Sequence, residues 1–324
     1  MEMSNNEPST ADTLETCFAP EIFSSRIYGV TGAAHGIGYA TSAALARHGA
    51  RVLMIDIDED NLHRADRKLA TSGAEIVTVV ADVADCSAVT AAIEEAMIRW
   101  GRLDGWVNNA FFSHRALITK QSEADFHRAW EVNCLAAWRI CRRILPLLAH
   151  SHGSIVNVSS IMAHQTMPEM AAYTSSKMAL EGLTRALAVE FAPHRVRVNT
   201  IMPGYIRTYE GLNHLPPDTQ ETWPECASAV RKWIEYLTNA SQPWPEAGLP
   251  QDVANAILFL LSAASRFVTG ATLTIDGGLS ADARDVSDVR RGEAFRKFME
   301  VRPSIEAYGQ LLREPRMIER GKSK

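Results

Sequence analysis

Paired cysteines and an excess of positive charge are both missing from this sequence. The 324 residues include five scattered cysteines, Cys17, Cys86, Cys134, Cys141 and Cys226, with no CxxC spacing. An odd, scattered set excludes a disulfide-rich secreted scaffold and indicates a reducing environment, so we expect a cytoplasmic protein. The formal charge of -5 at pH 7 argues against nucleic acid or an anionic membrane surface as a partner.

Membrane-spanning and metal-binding patterns are absent as well. The richest apolar run, Ala254 to Ala264, is too short to cross a membrane and predicts a buried helix. The N-terminus lacks the basic-then-apolar pattern of a secretory signal. The ten histidines are dispersed without a recognisable ligand spacing, so we expect no metal site.

What the sequence does contain is an alternation of short apolar runs with amphipathic stretches. Its 46% hydrophobic and 22% charged residues are ordinary for a globular domain with a large core. Seven runs predict strands: Ile27–Thr31, Val52–Asp56, Ile76–Val80, Trp106–Asn108, Ile155–Val158, Val196–Thr200 and Thr272–Ile275. Stretches such as Ile37 to His48 and Val89 to Trp100 predict the helices between them. This alternation is typical of an α/β fold in which helices cover both faces of a parallel sheet.

The chain divides into one domain with two appendages. Residues 1–24 are polar and aperiodic and predict a flexible N-terminal tail. The α/β domain is expected over 25–280, with an insertion at about 207–248 that we interpret as a lid over a binding site. Residues 281–324 predict a helical C-terminal extension, which we expect to pack on a neighbouring subunit; a solvated tail is the alternative.

A glycine-rich turn follows the first predicted strand and opens the first helix. It reads Thr31-Gly32-Ala33-Ala34-His35-Gly36-Ile37-Gly38. Glycines allow a tight turn and let the backbone approach a pyrophosphate at the helix N-terminus. We therefore expect cofactor contacts from Gly32, His35, Gly36, Ile37 and Gly38, with a purely structural turn as the alternative.

Asp56 ends the second predicted strand. A carboxylate in this place can bind both ribose hydroxyls of NAD and would repel the additional phosphate of NADP. The next residue, Ile57, is not basic. NAD is therefore expected in preference to NADP, although Asp56 could instead cap the following helix.

Tyr173 and Lys177 are the most informative pair in the chain. Four residues apart in a helix, they share one face, so the ammonium group lies beside the phenol. A phenol titrates near pH 10, and a neighbouring cation favours its ionised form. The pair predicts a proton donor and acceptor that works at neutral pH.

These motifs stand in an order that resembles the classical short-chain dehydrogenase/reductase (SDR) family. The matching segments are Thr31 to Gly38, Asp82-Val83, Asn108-Asn109-Ala110, Asn133, Ser159-Ser160, Tyr173 to Lys177 and Pro203-Gly204. The resemblance covers roughly residues 25–280. It implies a single doubly wound Rossmann domain with a seven-stranded parallel sheet, assembled as a homotetramer or homodimer.

The resemblance implies a catalytic tetrad of Asn133, Ser160, Tyr173 and Lys177. Ser160 is preferred to Ser159 because it precedes Tyr173 by 13 residues, as in the family. Tyr173 would exchange the proton, Ser160 would hydrogen-bond the reacting oxygen, and Lys177 would hold the nicotinamide ribose. Asn133 would hold a water that links Lys177 to solvent; an ordinary helix asparagine is its alternative.

Further cofactor contacts follow from the same resemblance. Asp82 and Val83 would meet the adenine, and the Asn108–Ala110 segment would pass the ribose. The segment after the sixth strand would contact the nicotinamide. The residues concerned are Asp82, Val83, Asn108, Asn109, Ala110, Tyr173, Lys177, Pro203, Gly204, Ile206 and Thr208.

One departure concerns the substrate side of the site. Where the family usually has glycine after Asn-Asn-Ala, this chain has Phe111, followed by Phe112. Both either line the substrate pocket or pack in the core. The other residues expected to line the pocket are Met162, His164, Met170 and Tyr205; methionines as core filler and His164 as a surface residue are the alternatives.

The sequence therefore predicts an NAD-dependent enzyme that interconverts a secondary alcohol and a ketone, with an apolar or cyclic substrate of some bulk. Two alternatives remain open. One is a dinucleotide-sensing protein without catalysis on the same scaffold, and the other is a lyase or epimerase that uses bound NAD transiently.

Overall fold

A single parallel β-sheet forms the centre of the protein. The computed structural model describes residues 18–70, 73–208 and 242–282. All seven strands run parallel in the order β3-β2-β1-β4-β5-β6-β7. The strands are β1 (Ile27–Thr31), β2 (Arg51–Asp56), β3 (Ile76–Val80), β4 (Gly105–Asn108), β5 (Ser154–Val158), β6 (Arg197–Pro203) and β7 (Thr272–Ile275). The predicted fold class is confirmed.

Helices cover both faces of this sheet. They are α1 (Gly36–Arg47), α2 (Glu59–Ala70), α3 (Cys86–Trp100), α4 (Glu123–Trp130), α5 (Ala136–Ser151), α6 (Ala171–Phe191) and α7 (Pro250–Leu261). One core layer packs α1, α2 and α7 against the sheet, and the other packs α3, α5 and α6 against its opposite face. Because both faces are covered, the inner strands β1, β4 and β5 are buried along their whole length. This explains why these strands appear in the sequence as uninterrupted apolar runs.

The strand predictions hold with small changes at the ends. The main difference is β6, which was predicted over Val196–Thr200 and is observed over Arg197–Pro203. Pairing with β7 causes the extension, because the register continues to Pro203 opposite Ile275. Among the described residues, no helix is long and apolar enough to cross a membrane.

The domain begins earlier than the sequence predicted. Residues 18–24, assigned to the flexible tail, form a turn that packs against the first βα unit. Phe23 is fully buried and lies edge-on to Tyr28, with ring centroids 5.4 Å apart. The Phe23 amide also donates to the carbonyl of His48. Aromatic packing therefore joins residues 18–24 to the domain.

Most of the predicted appendages lie outside the described residues. This applies to residues 1–17 of the tail, to 209–241 of the predicted lid and to 283–324 of the C-terminal extension. The far end of the insertion is described, and there Ile206 forms a parallel bridge with Gly248.

Strands β2 and β3 add to the sheet on one side of β1, and β4 and the strands after it add on the other side. At such a switch point the loops that follow the two strands diverge and leave a crevice at their carboxyl ends. The glycine-rich turn follows β1, and the segment from Asn109 to Phe112 follows β4. The fold therefore places the predicted motifs at one crevice.

Candidate active site

The glycine-rich turn is shaped for close approach of a ligand backbone. Gly32 and Gly36 have φ of +64° and +56°, a region that side chains disfavour. A Cβ on Gly38 would lie 1.9 Å from the Gly32 carbonyl oxygen, so the helix packs directly on the turn. His35 precedes α1 without capping it through its side chain. The turn and the amides of the first helical turn fit a pyrophosphate.

Asp56, at the end of β2, stabilises the glycine-rich turn through a hydrogen bond. Its carboxylate is buried and accepts the Ala34 amide at 2.9 Å and the Asp58 amide at 3.0 Å. The N-cap of α2 is Asp58, whose Oδ1 accepts the Asn61 amide at 3.1 Å. The cap alternative for Asp56 is therefore wrong. Each carboxylate oxygen of Asp56 still has acceptor capacity for a ribose hydroxyl.

Asp82 and Val83 lie at the far end of the crevice, after β3. Asp82 accepts the Ala84 amide at 2.9 Å and pairs with the Arg128 guanidinium at 2.7 Å. Val83 is buried against Val132. Arg128 was missed from the sequence because no local spacing connects it to Asp82, 46 positions away.

The two asparagines after β4 have different environments. The Asn108 side chain points into the sheet, where it donates to Asn157 at 2.8 Å and accepts from the indole of Trp106 at 2.9 Å. The Asn109 amide donates to the carbonyls of Thr31 and Gly32 at 3.0 and 2.9 Å and so holds the glycine-rich turn. Asn109 and Ala110 adjoin that turn, whereas the Asn108 side chain is directed into the sheet and is not available to a ribose.

Helix α6 brings the predicted proton-transfer residues together. Its 21 residues place Tyr173 and Lys177 on one face. The Lys177 ammonium lies 5.8 Å from the centroid of the Tyr173 ring and donates to the Val158 carbonyl at 2.7 Å. Ser160 follows β5, and its side chain interacts with the Tyr173 phenol. The structure thus brings Ser160, Tyr173 and Lys177 into one cluster.

Burial dominates the electrostatics of this cluster. Burial raises the pKa of the Tyr173 phenol, and the Ser160 hydrogen bond offsets only part of the rise. Burial also lowers the pKa of Lys177 to about 7. The lysine that the sequence places beside the phenol is therefore itself desolvated, and burial rather than the cation dominates the shift in the pKa of Tyr173.

Asn133 lies in a π-helical turn, Glu131–Leu135, between α4 and α5. Its side chain accepts the Phe112 amide at 2.7 Å and donates to the Phe112 carbonyl at 3.0 Å and to Ser176 at 2.9 Å. Asn133 therefore ties the loop after β4 to α6. Single π-turns within helices are frequent at functional sites, and the ordinary-helix alternative does not describe this geometry.

Phe111 lies directly against the Tyr173–Lys177 pair. Its ring meets the Tyr173 ring edge-on at a centroid distance of 6.3 Å, and the Lys177 ammonium is 5.9 Å from its centroid. The side chain is nevertheless 59% exposed. Phe112 is partly buried beside Val132, with the Arg128 guanidinium 6.0 Å from its ring centroid. Core packing therefore describes Phe112, whereas Phe111 lines the open site.

The segment after β6 returns towards the glycine-rich turn. A Cβ on Gly204 would lie 2.5 Å from that of Asp276, which accounts for the glycine. Thr208 lies 3.3 Å from where a Cβ of Gly36 would stand. Burial raises the pKa of Tyr205. Pro203 ends β6 and Ile206 packs on the core, whereas Thr208 brings the end of this segment against the glycine-rich turn.

The segment from Ile161 to Met170 forms the remaining wall. Met162 and Met170 are partly buried. His164 is exposed and its Nε2 lies 2.8 Å from the buried carboxylate of Glu181, a partner that the sequence did not indicate. Within the described ranges, no group of three or more His, Cys, Asp or Glu side chains is placed to hold a metal ion.

Comparison with known proteins agrees with this arrangement. A family model described as "Enoyl-(Acyl carrier protein) reductase" matches residues 32–280. The chain is 35% identical over 259 residues to 2-(S)-hydroxypropyl-CoM dehydrogenase 3 of Xanthobacter autotrophicus, covering 79% of this chain and 97% of that protein. It is 33% identical over 251 residues to 3-oxoacyl-(acyl-carrier-protein) reductase FabG of Thermotoga maritima, covering 77% and 96%.

Solved structures show the same architecture. L-sorbose reductase from Gluconobacter frateurii, complexed with NADPH and L-sorbose, superposes with a TM-score of 0.73 at 27% identity, covering 80% of this chain and 98% of that one. The sheet order, the crevice and these matches together show that the chain belongs to the short-chain dehydrogenase/reductase family of NAD(P)-dependent oxidoreductases, which act on alcohol, carbonyl and related groups.

Proposed function

We propose that this protein is an NAD-dependent dehydrogenase or reductase that interconverts a secondary alcohol and a ketone. The observation that carries the proposal is the pair on α6 and its neighbour: the Lys177 ammonium lies 5.8 Å from the centroid of the Tyr173 ring, and the Ser160 side chain interacts with the same phenol. A phenol held protonated at neutral pH is a proton donor for a carbonyl oxygen. Ser160 can donate to the same oxygen where negative charge develops.

The dinucleotide would be held by the elements of the crevice. The glycine-rich turn and the N-terminus of α1 fit its pyrophosphate, Asp56 its adenosine ribose, and the segment from Pro203 to Thr208 its nicotinamide end. When bound, it supplies or accepts a hydride at the substrate carbon. Tyr173 gives its hydroxyl proton to the substrate oxygen in reduction and takes it back in oxidation.

Lys177 and Asn133 support this proton exchange. Lys177 is buried beside the phenol, and its pKa near 7 lets it hold or release a proton at neutral pH. Asn133 fixes the loop that carries Phe111 relative to α6 through Ser176. We assign Lys177 to ribose binding and proton return, and Asn133 to the path between Lys177 and solvent.

The preference for NAD is supported by charge at the end of β2. Asp56 and Asp58 both direct carboxylates to this corner. Burial alone would raise the pKa of Asp58, but hydrogen bonds from Asn61 help to hold it below its usual value. The residue between them, Ile57, is 63% exposed and offers no cation. An additional phosphate would meet two negative charges at this corner.

The substrate is proposed to be apolar over much of its surface. Phe111 forms a flat wall against Tyr173, and Leu117 and Ile118 of the same loop are exposed. The opposite wall contributes Met162, Met170 and Tyr205. Aromatic and thioether side chains suit a bulky or cyclic ketone better than a small polyhydroxylated one.

We also propose that the protein acts in the cytoplasm as a homotetramer or homodimer. Phe267 next to the edge strand β7 is 93% exposed, and exposed apolar side chains favour association. Light scattering on the purified chain tests the assembly; a monomer at micromolar concentration would contradict it.

The experiment that tests the function is a screen of ketones with NADH and of secondary alcohols with NAD, in which the change in NADH fluorescence measures turnover. Wild type and Tyr173→Phe are compared, and NADPH is run in parallel. We expect turnover in wild type that falls by about 10²–10⁴ in the variant, the range for a lost general acid. Turnover that is equal in the two proteins would reject Tyr173 as the proton donor.

Reduction of a carbon–carbon double bond is a second candidate, because the matching family model carries an enoyl reductase description. Enoyl thioesters in the same screen distinguish the two. Consumption of NADH with enoyl thioesters but not with ketones would replace the carbonyl assignment.

A further inference from the structure

Glu181 is a buried carboxylate that the proposed reaction does not use. It lies on α6 one helical turn beyond Lys177, and its side chain is 2% exposed. Burying a carboxylate is unfavourable unless hydrogen bonds satisfy it. Its two oxygens accept from two side chains, the Ser159 hydroxyl at 2.9 Å and the His164 ring at 2.8 Å.

These two partners stand at the two ends of one short turn. Ser159 follows the last residue of β5, and its neighbour Ser160 caps the single helical turn Ile161–Ala163 by accepting the Met162 amide at 3.2 Å. His164 ends that turn. One carboxylate therefore holds both ends of the segment that carries the Ser160 hydroxyl.

The same contacts connect the turn to the lysine. The Ser159 hydroxyl is also 3.2 Å from the Lys177 carbonyl, and the Lys177 ammonium donates to Val158, which precedes Ser159. The end of β5 is thus fastened to α6 at the level of Lys177 and again one turn later at Glu181. The separation between Ser160 and Tyr173, which these two elements carry, depends on both attachments.

We infer that Glu181 is a positioning residue that sets the Ser160 hydroxyl against the Tyr173 phenol. The inference rests on the proposed function, because it assigns Glu181 a part in the same proton transfer. A carboxylate suits the task because its two oxygens accept from both ends of the turn at once. A glutamine at position 181 can accept from the Ser159 hydroxyl and donate to the His164 ring, provided that the histidine changes tautomer. A leucine at this position can form neither hydrogen bond.

The test is a double-mutant cycle between Glu181 and Ser160. Glu181→Leu is expected to lower kcat by about 10- to 100-fold, as expected for a misplaced catalytic group. Dinucleotide affinity should change by less than about threefold, and Glu181→Gln should recover most of the loss. In a Ser160→Ala background, Glu181→Leu should change kcat by less than about threefold, because coupled residues are non-additive.

Thr184→Val is the matched control. Thr184 lies on α6 close to Glu181 and is buried, and its hydroxyl takes part in hydrogen bonds with Asn157 and Thr200. Its removal should lower thermal stability and leave kcat within about twofold, as for a site uncoupled to the reaction. Equal losses of kcat in Thr184→Val and Glu181→Leu would overturn the inference.

A second readout does not require turnover. The ionisation of Tyr173 is followed by ultraviolet absorbance as the difference from a matched Tyr173→Phe protein. Since the Ser160 hydrogen bond lowers the pKa of Tyr173, Glu181→Leu should raise that pKa, and should not do so when Ser160 is already alanine. An unchanged titration would reject the positioning role even if the enzyme proved inactive towards every ketone.

If Glu181→Leu does not fold, His164→Leu provides an alternative test. His164 has a half-exposed side chain, so its replacement should leave the fold intact while one end of the turn is released. We expect a smaller loss of kcat than in Glu181→Leu, again dependent on Ser160. Loss of kcat that is identical with and without the Ser160 hydroxyl would contradict the inference.

Discussion

Replacement of Lys177 by methionine should stabilise the fold at neutral and acidic pH while it removes activity. Burial lowers the pKa of this lysine from 10.5 to about 7. Between these values the unfolded chain holds a proton that the folded chain has released, so stability rises with pH through this window. One pKa unit corresponds to about 1.4 kcal/mol. The buried lysine therefore lowers the free energy of unfolding by about 5 kcal/mol below pH 7, by about 3 kcal/mol at pH 8 and by about 1 kcal/mol at pH 10.

One contribution opposes this gain in the variant. The hydrogen bond from Lys177 to the Val158 carbonyl is lost, and a charged hydrogen bond contributes about 1.5–3 kcal/mol. Methionine keeps most of the apolar stem, so no large cavity follows. The net expectation is a stabilisation of about 2 kcal/mol at pH 6 that falls to zero or reverses by pH 10.

Urea denaturation of both proteins at pH 6, 7, 8 and 9.5 measures this difference. Lys120→Met, at an exposed lysine, is the control and should give a difference that does not change with pH. A Lys177→Met difference that is constant across the series, or a variant less stable than wild type at pH 6, would refute the reasoning. If Lys177→Met loses activity while its free energy of unfolding rises, the buried lysine is retained for function and not for stability.

Three further predictions follow from the site. Ile57→Arg adds a cation beside Asp56 and should raise NADPH affinity about tenfold, measured by fluorescence titration, with NADH affinity changed less; an unchanged ratio would place the second ribose elsewhere. Phe111→Gly should raise KM for bulky ketones about tenfold and leave small ketones within about threefold, with Ile98→Ala at an exposed position of α3 as the distant control; equal effects on both substrate sizes would remove Phe111 from the pocket. Because burial raises the pKa of Tyr173, kcat/KM for alcohol oxidation should climb with pH from 7 to above 9, as the phenolate fraction grows; a plateau reached below pH 8 would contradict the burial argument.

Much of the fold was predictable because its elements are specified locally. The five inner strands are apolar runs that are almost wholly buried, and their periodicity differs from that of the helices around them. The glycine-rich turn was identifiable because Gly32 and Gly36 have backbone angles that other residues disfavour. The N-terminal boundary was predicted wrongly, because Phe23 has no periodic neighbours and is buried only by contacts with Tyr28 and His48.

The candidate site was predictable in membership but not in electrostatics. Spacing along α6 placed Tyr173 beside Lys177, as the structure confirms. The same spacing favours an ionised phenol, whereas burial raises the pKa of Tyr173. Desolvation depends on every element that surrounds the pair, and a local motif contains no information about it.

The amino-acid sequence by itself determined the layered α/β architecture, the glycine-rich turn after β1 and the placing of Tyr173 beside Lys177 on one helix face, because each is encoded within a few consecutive positions. Only the tertiary structure decided that Asn109 rather than Asn108 holds the turn, that Phe111 lies on Tyr173, and that Glu181 joins Ser159 to His164. Each of these depends on which side of the sheet a side chain faces and on which distant segment it then meets. Such contacts arise only when the whole chain has packed.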